Sequence, residues 1–272
     1  MRRVADRLSP VLAAVFCLLP FYWMVASSLR RTNDMFDMSV WPNPMSLENY
    51  RAVFKPGHGF VRSLGNSLVV AGSTTVLTLI IGVSAAYALA RLRFRFKRAV
   101  LALVVSTSMF PGSLLIVPLL KLFTDIGWIN SYQAMVVPSL SFALPLAVWN
   151  LTAFFRRLPF ELEQAAMVDG CTAGQAFRKI ILPLAAPGVF TTAILVFLYC
   201  WSDFVFAISL TSTNNARTVP AAIAFFTGAS QFQQPTGSIA AAAVIITIPV
   251  AIVVLLFQRR IVAGLTAGAV KG

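Results

Sequence analysis

"SLGNSLVVAGSTTVLTLIIGVSAAYALA", Ser63–Ala90, carries no charge, and the basic "RLRFRFKR", Arg91–Arg98, follows it at once. A bilayer core about 30 Å thick is crossed by roughly 20 helical residues. The first segment is long enough to cross, and the second is a basic stop at the membrane surface. Comparable runs recur at Ser9–Leu29, Ala99–Leu120, Ile126–Phe155, Ile180–Ser202 and Thr218–Gln258. The last is too long for one span. Its polar "FTGASQFQQPTG", Phe226–Gly237, puts the start of the membrane segment near Ser238. The reading is an all-α integral membrane protein with six transmembrane helices, at about 9–29, 64–90, 99–122, 131–155, 186–210 and 237–258.

Composition agrees. Hydrophobic residues make up 58% of the 272, charged residues 11%, and mean hydropathy is +0.80. A soluble domain carries about a quarter charged residues, so this chain lacks the polar surface to live in water.

Charge orients the spans. Arg2, Arg3 and Arg7 precede the first helix, and Arg91, Arg93, Arg95, Lys97 and Arg98 lie between the second and third. Arg156, Arg157, Arg178 and Lys179 lie between the fourth and fifth, and Arg259, Arg260 and Lys271 follow the sixth. Six crossings put all four groups on one side, which the positive-inside tendency makes the cytoplasm. Both termini are therefore expected there, in the plasma membrane. The net charge of +13 is a topology signal. Nucleic-acid binding is not expected, because the basic residues group at the ends of the spans. "MRR" before an apolar run resembles a secretory signal peptide, but the run is longer than a signal core and contains Pro20, Tyr22 and Trp23. The first span is read as retained.

Familiar catalytic sets are missing. None of Lys55, Lys97, Lys121, Lys179 and Lys271 follows a glycine, so there is no phosphate-binding loop. The one histidine, His58, sits between glycines in an outer loop, which disfavours a Ser-His-Asp triad or a metal site. Cys17, Cys171 and Cys200 have neither zinc spacing nor a place for an extracellular disulfide. The chain reads as a non-enzyme that binds no cofactor or metal. Polar groups inside the spans are the remaining candidates, since each is costly unless it faces a bundle interior or a watery cavity. Asn66, Asn150, Trp201, Ser202 and Asp203 are picked on polarity and position as lining a pathway, with interhelical bonding as the competing role.

One polar insert interrupts the apolar runs, "ELEQAAMVDGCTAGQAFRKIILPL", Glu161–Leu184. Pro159 suits a first helical turn, and Glu161 and Glu163 suit the positive end of a helix dipole. Leu162, Ala165, Ala166 and Asp169 share one face, and Gly170 is placed for a C-terminal stop of positive φ. Thr172 with Gln175 makes a capping box opening a second helix, whose apolar face holds Ala173, Ala176, Phe177, Ile180, Ile181 and Leu184. Arg178 and Lys179 lie toward its later turns. The acidic first half would be repelled by anionic headgroups, so a protein partner is preferred to a membrane surface.

Here a resemblance enters. Gln164-Ala165-Ala166-x3-Gly170-x9-Ile180-x-Leu182-Pro183 resembles the cytoplasmic EAA loop of permease subunits in binding-protein-dependent ABC importers. The usual glutamate is Gln164 here, with Glu163 just before it. The tail "FQRRIVAGLTAGAVKG", Asn66-Ser67-Leu68 and Trp201-Ser202-Asp203-Phe204 resemble the carbohydrate-uptake branch related to the maltose importer's smaller permease. "PTGSIAAAAVIITIP" with that tail resembles the trehalose-importer permeases of mycobacteria. The resemblance implies a type I permease with three parts: 1–62, the first helix and an extracytoplasmic loop; 63–258, the permease core with its coupling loop at 156–185; and 259–272, a cytoplasmic tail. It implies docking of Glu163, Gln164, Ala165, Ala166, Asp169, Gly170, Thr172, Phe177 and Arg178 against an ATPase. Its implied partners are a second permease, a pair of ATP-binding subunits that use ATP and Mg, and an extracytoplasmic sugar-binding lipoprotein facing residues 30–62 and 211–235. The implied cargo is a disaccharide such as trehalose. An ion-gradient-driven secondary transporter, or a related permease for another polar solute such as a glycerophosphodiester, stays open.

Overall fold

The computed structural model describes residues 2–35, 37, 39–226 and 235–266, with the backbone alone at 2–10, 56 and 259–266. Among the described residues there are helices and no strands. Lipid offers backbone N–H and C=O groups no partner, so a spanning segment must satisfy them within itself. Helix α1 is Arg2–Ser28, and a long loop carries the short α2, Glu48–Val53. Helix α3 is Phe60–Arg91, α4 is Lys97–Ser108, α5 is Ile116–Asp125 and α6 is Tyr132–Phe155. Two short helices follow, α7 at Glu161–Val168 and α8 at Ala173–Ala176. A π turn, Phe177–Ile181, then leads straight into α9, Leu182–Trp201. Last come α10 (Val205–Leu210), α11 (Val219–Ala224) and α12 (Thr236–Thr266).

Helices α1, α3, α6, α9 and α12 are each long and apolar enough to cross a membrane. The third expected span differs. In place of one helix over 99–122, α4 and the segment from Gly112 to Asp125 meet at 81°. Pro111 supplies no N–H to continue α4, and Gly112 opens a 3-10 turn instead. The fifth also differs from 186–210. It begins earlier, through the π turn, and stops at Trp201 before a break at Ser202–Phe204. The sixth runs on to Thr266, past the expected end at 258. Lys271 and most of the polar stretch before Pro235 lie outside the described residues.

The centre is made by α3, α6 and α9. Half of the apolar window of α6 is buried, against 11% for α1, so α1 lies at the periphery, where it packs on α12. Small residues meet at the centre: Ala71 and Ala86 of α3, Ala143 and Ala147 of α6, Ala185 of α9. Without a hydrophobic driving force between helices in lipid, such close approach supplies the van der Waals contact that holds them. Some buried hydroxyls turn back onto their own helix, as Thr75 does to the Ala71 carbonyl and Thr192 to that of Gly188.

Gly188 marks a tight approach between α9 and α6. A Cβ there would lie 2.5 Å from the Phe154 ring of α6. Gly188→Ala must push the two helices apart, an overpacking penalty of about 1–3 kcal/mol. The expected outcome is a lower melting temperature of the purified protein in detergent, with the same α-helical content. An unchanged melting temperature would mean the ring swings aside freely.

Candidate functional site

The polar insert folds as a bent elbow. Helix α7 ends at Gly170, whose φ is +88°. The Cys171 N–H donates to the Ala166 carbonyl and the Gly170 N–H to that of Met167. These two bonds make a complete Schellman cap, which needs its left-handed residue at Gly170. Two residues on, the Thr172 hydroxyl accepts from the Gln175 N–H at 3.3 Å, and the Gln175 side chain accepts from the Thr172 N–H at 2.8 Å. The expected capping box is therefore present and starts α8 with no intervening loop. Pro159 stands before α7, which opens at Glu161.

The elbow has an inner and an outer face. Ala166, Ala176 and Ile181 are buried, and Ile181 clusters with Val83 and Ala86 of α3, Leu151 and Phe155 of α6 and Ala185 of α9. Glu163 is also turned inward, at 5% exposure. Its carboxylate accepts from the Tyr87 hydroxyl and lies 3.7 Å from the Arg91 Nε, both on the last turns of α3. Phe177 packs its ring 4.4 Å from that of Tyr87. Gln164, Ala165, Asp169, Gly170, Thr172 and Arg178 face outward. Between them Val168 stands 86% exposed with Met167 beside it, an apolar tip at the apex. The sequence singles out none of Val168, Met167 and Tyr87, and it marks Arg91 only as a topology charge.

At the opposite end of the core, Asn66 is buried and ties three segments together. Its Nδ2 donates to the carbonyls of Asn214 and Arg217, at 3.2 and 2.9 Å, and its Oδ1 accepts from the Tyr132 hydroxyl at 2.8 Å. The neighbouring Ser67 hydroxyl accepts from the Val219 N–H at 2.8 Å. Arg217 donates to the Ser212 carbonyl and lays its guanidinium 3.9 Å over the Phe225 ring. Burial pulls its pKa down.

Asn150 is half-buried and donates to the Thr192 hydroxyl at 2.7 Å, joining α6 to α9. Trp201 is buried and stacks on Phe197. Ser202 and Asp203 sit in the break after α9, with the Asp203 carboxylate facing the N–H groups that open α10. Trp201, Ser202 and Asp203 are neighbours in the chain at the end of α9, whereas Asn66 bonds the 214–217 loop and Tyr132, and Asn150 bonds Thr192. A groove of about 460 Å³ runs between α4, α6 and α9, lined by Val105, Ser108, Phe142, Leu146, Trp149 and Tyr199 with Pro145. None of the five polar picks lines it. Trp149 and Tyr199 went unnoticed in the sequence because they sit in apolar runs.

Comparison with known proteins gives one answer by three routes. The family model for binding-protein-dependent transport system inner membrane components matches residues 78–266. The trehalose transport system permease protein SugB of Mycobacterium tuberculosis is 49% identical over 94% of this chain and 93% of its own. The trehalose/maltose transport system permease protein MalG of Thermococcus litoralis is 40% identical over 100% of this chain and 98% of its own. Among solved structures, a bacterial ABC transporter involved in the import of alginate aligns with a TM-score of 0.75 over 94% of this chain and 96% of that one, at 21% identity. The fold is thus that of ABC importer permeases.

Proposed function

The chain belongs to the family of binding-protein-dependent transport system inner membrane components, and from that premise we propose that it is one of two permease subunits enclosing the path of an ATP-driven sugar importer. The observation that carries this reading is the elbow. A Schellman cap and a capping box back to back present an outward face of Gln164, Ala165, Val168 and Asp169 on a rigid bend. Such a face suits the cleft of a separate motor chain. This chain has no phosphate-binding loop of its own, so ATP and Mg belong to that partner.

The remaining parts follow. Positive-inside charge puts the elbow and both termini on the cytoplasmic side of the plasma membrane. The loops around Asn49 and Arg217 then face an extracytoplasmic sugar-binding protein, which hands over the cargo. Relatives that carry trehalose and maltose support a disaccharide such as trehalose. The groove beside Phe142, Trp149 and Tyr199 offers aromatic faces with a few polar groups, the usual lining of a small-molecule path. Alternating access comes from rocking of the two permeases, driven by nucleotide states that bind one arrangement better than the other.

The test is uptake by the reconstituted complex of both permeases, the ATPase pair and the binding protein. Labelled trehalose is expected to enter vesicles only with hydrolysable ATP, and to keep entering after an ionophore collapses the proton gradient. Uptake abolished by the ionophore with ATP held constant would hand the function to an ion-gradient carrier.

A further inference from the structure

We propose that Arg91 and Tyr87 clamp the elbow to α3 through Glu163, so that the elbow, α3 and α9 move as one body during transport; this rests on the importer reading above. The clamp is a buried knot of six contacts. Tyr87 donates its hydroxyl to Glu163, and the Arg91 Nε lies 3.7 Å from the other carboxylate oxygen. The same guanidinium donates to the Leu158 carbonyl at 2.7 Å and sits 5.6 Å over the Phe160 ring, so it grips the chain just before α7 as well. The Tyr87 ring packs on Phe177, in the π turn on the far side of the bend, and edge-on to Phe155 at the end of α6. Both charged side chains are 7% exposed, and theirs is the one ion pair among the described residues.

A buried ion pair contributes little net stability, because desolvation offsets the attraction, and its best-attested use is to fix a geometry. The geometry fixed here lies between a docking surface and a transmembrane helix. Docking would need only the outer face of α7, and Glu163 points away from it. The other half of the elbow is joined to the membrane by backbone, since α8 passes through the π turn into α9 without a break. Each half of the elbow thus holds a different span, and those spans pack on each other with α6. A displacement applied at Gly170 has no soft joint at which to be absorbed. Arg91, Tyr87 and Glu163 are in this sense positioning residues, acting through the helix they hold.

The measurement is sugar imported per ATP hydrolysed in the reconstituted complex. Arg91→Gln is expected to keep the ATPase co-purifying and its hydrolysis stimulated by the sugar-loaded binding protein, while sugar per ATP falls about tenfold, a coupling change near 1.4 kcal/mol. Tyr87→Phe keeps the ring contacts and loses the hydroxyl, so a several-fold fall is expected. The double variant should fall less than the product of the two, because both act through one carboxylate. A rescue separates transmission from simple stability. In a background free of Cys17, Cys171 and Cys200, the pair Tyr87→Cys and Glu163→Cys is expected to be uncoupled, and a short bis-methanethiosulfonate cross-linker, each thiolate displacing methanesulfinate to form a disulfide, to restore coupling. An unchanged ratio in Arg91→Gln, loss of the ATPase from the complex, or a bridge that blocks uptake overturns the proposal. A wild-type complex with no ATP-driven uptake would sink the importer reading instead. The clamp is then read by amide exchange of α7, expected to quicken in Arg91→Gln and overturned if it does not.

Discussion

Gly170→Pro is expected to leave the chain in the membrane in normal amount, strip it of its ATPase and reduce uptake to background. The argument is local. Gly170 holds φ at +88°, and its N–H donates to the Met167 carbonyl. Proline fixes φ near −65° and has no N–H, so it can supply neither. An ordinary residue forced into the left-handed region costs roughly 1–2 kcal/mol, and the lost cap bond adds about 1 kcal/mol. Proline cannot enter that region at all, so the Schellman turn must open and α7 must leave its angle to α8. About 3 kcal/mol against the docked shape is a loss of more than a hundredfold in its population. Space does not enter the argument, since a Cβ at Gly170 meets nothing within 4 Å. Gly170→Asn is the control. Asparagine tolerates the left-handed region, so that variant should keep most of its ATPase and most of its uptake. Normal co-purification and transport in Gly170→Pro would remove the bend from the mechanism.

That argument was available in outline from the sequence, because everything it uses lies within a few residues. A glycine after a helical face, and threonine three residues before glutamine, are local signals, and the elbow's caps formed as those signals require. The spans were legible for a similar reason, since hydropathy is summed along the chain. Where two signals competed, the stronger hid the weaker. "MFPG", Met109–Gly112, contains a Pro-Gly pair that marks a turn, yet it sits in an apolar run long enough to be read as one helix. The structure bends there by 81°. Asp203 drew notice as a carboxylate in a span, whereas it occupies a gap between two helices.

Pairings across the fold were not legible. Tyr87 and Glu163 stand 76 residues apart, and Asn66 and the Arg217 carbonyl 151 apart. A single sequence records that each residue is polar and nothing about which polar group it meets. Arg91 was counted as one more cation on the basic side, which is a correct use of its charge and says nothing of its partner. Trp149 and Tyr199 show the converse. Aromatic residues in apolar runs look like packing, and only the fold shows that these two line a groove with Val105 and Ser108 of α4.

Asn66→Leu is expected to abolish the stimulation of ATP hydrolysis by the sugar-loaded binding protein while the permease stays bound to its ATPase. Leucine keeps the branched shape and the number of side-chain heavy atoms, so the position stays filled while its polarity is lost. It removes both donors to the 214–217 loop and the acceptor of the Tyr132 hydroxyl. Each buried group left without a partner costs on the order of 1–3 kcal/mol. The loop can recover by moving out into water, where its carbonyls are solvated, and Arg217 and Phe225 move with it. The surface offered to the binding protein is then lost, although the elbow at the other end of α3 keeps its caps and its clamp. A pathway residue would behave differently. If Asn66 met the sugar during transport, its loss would shift the KM for uptake and the choice among disaccharides, and stimulation by the binding protein would persist. The two roles therefore separate in a single assay. Retained stimulation with altered sugar preference would move Asn66 from the outer scaffold into the path, whereas lost stimulation with preference unchanged would keep it where its three hydrogen bonds hold it.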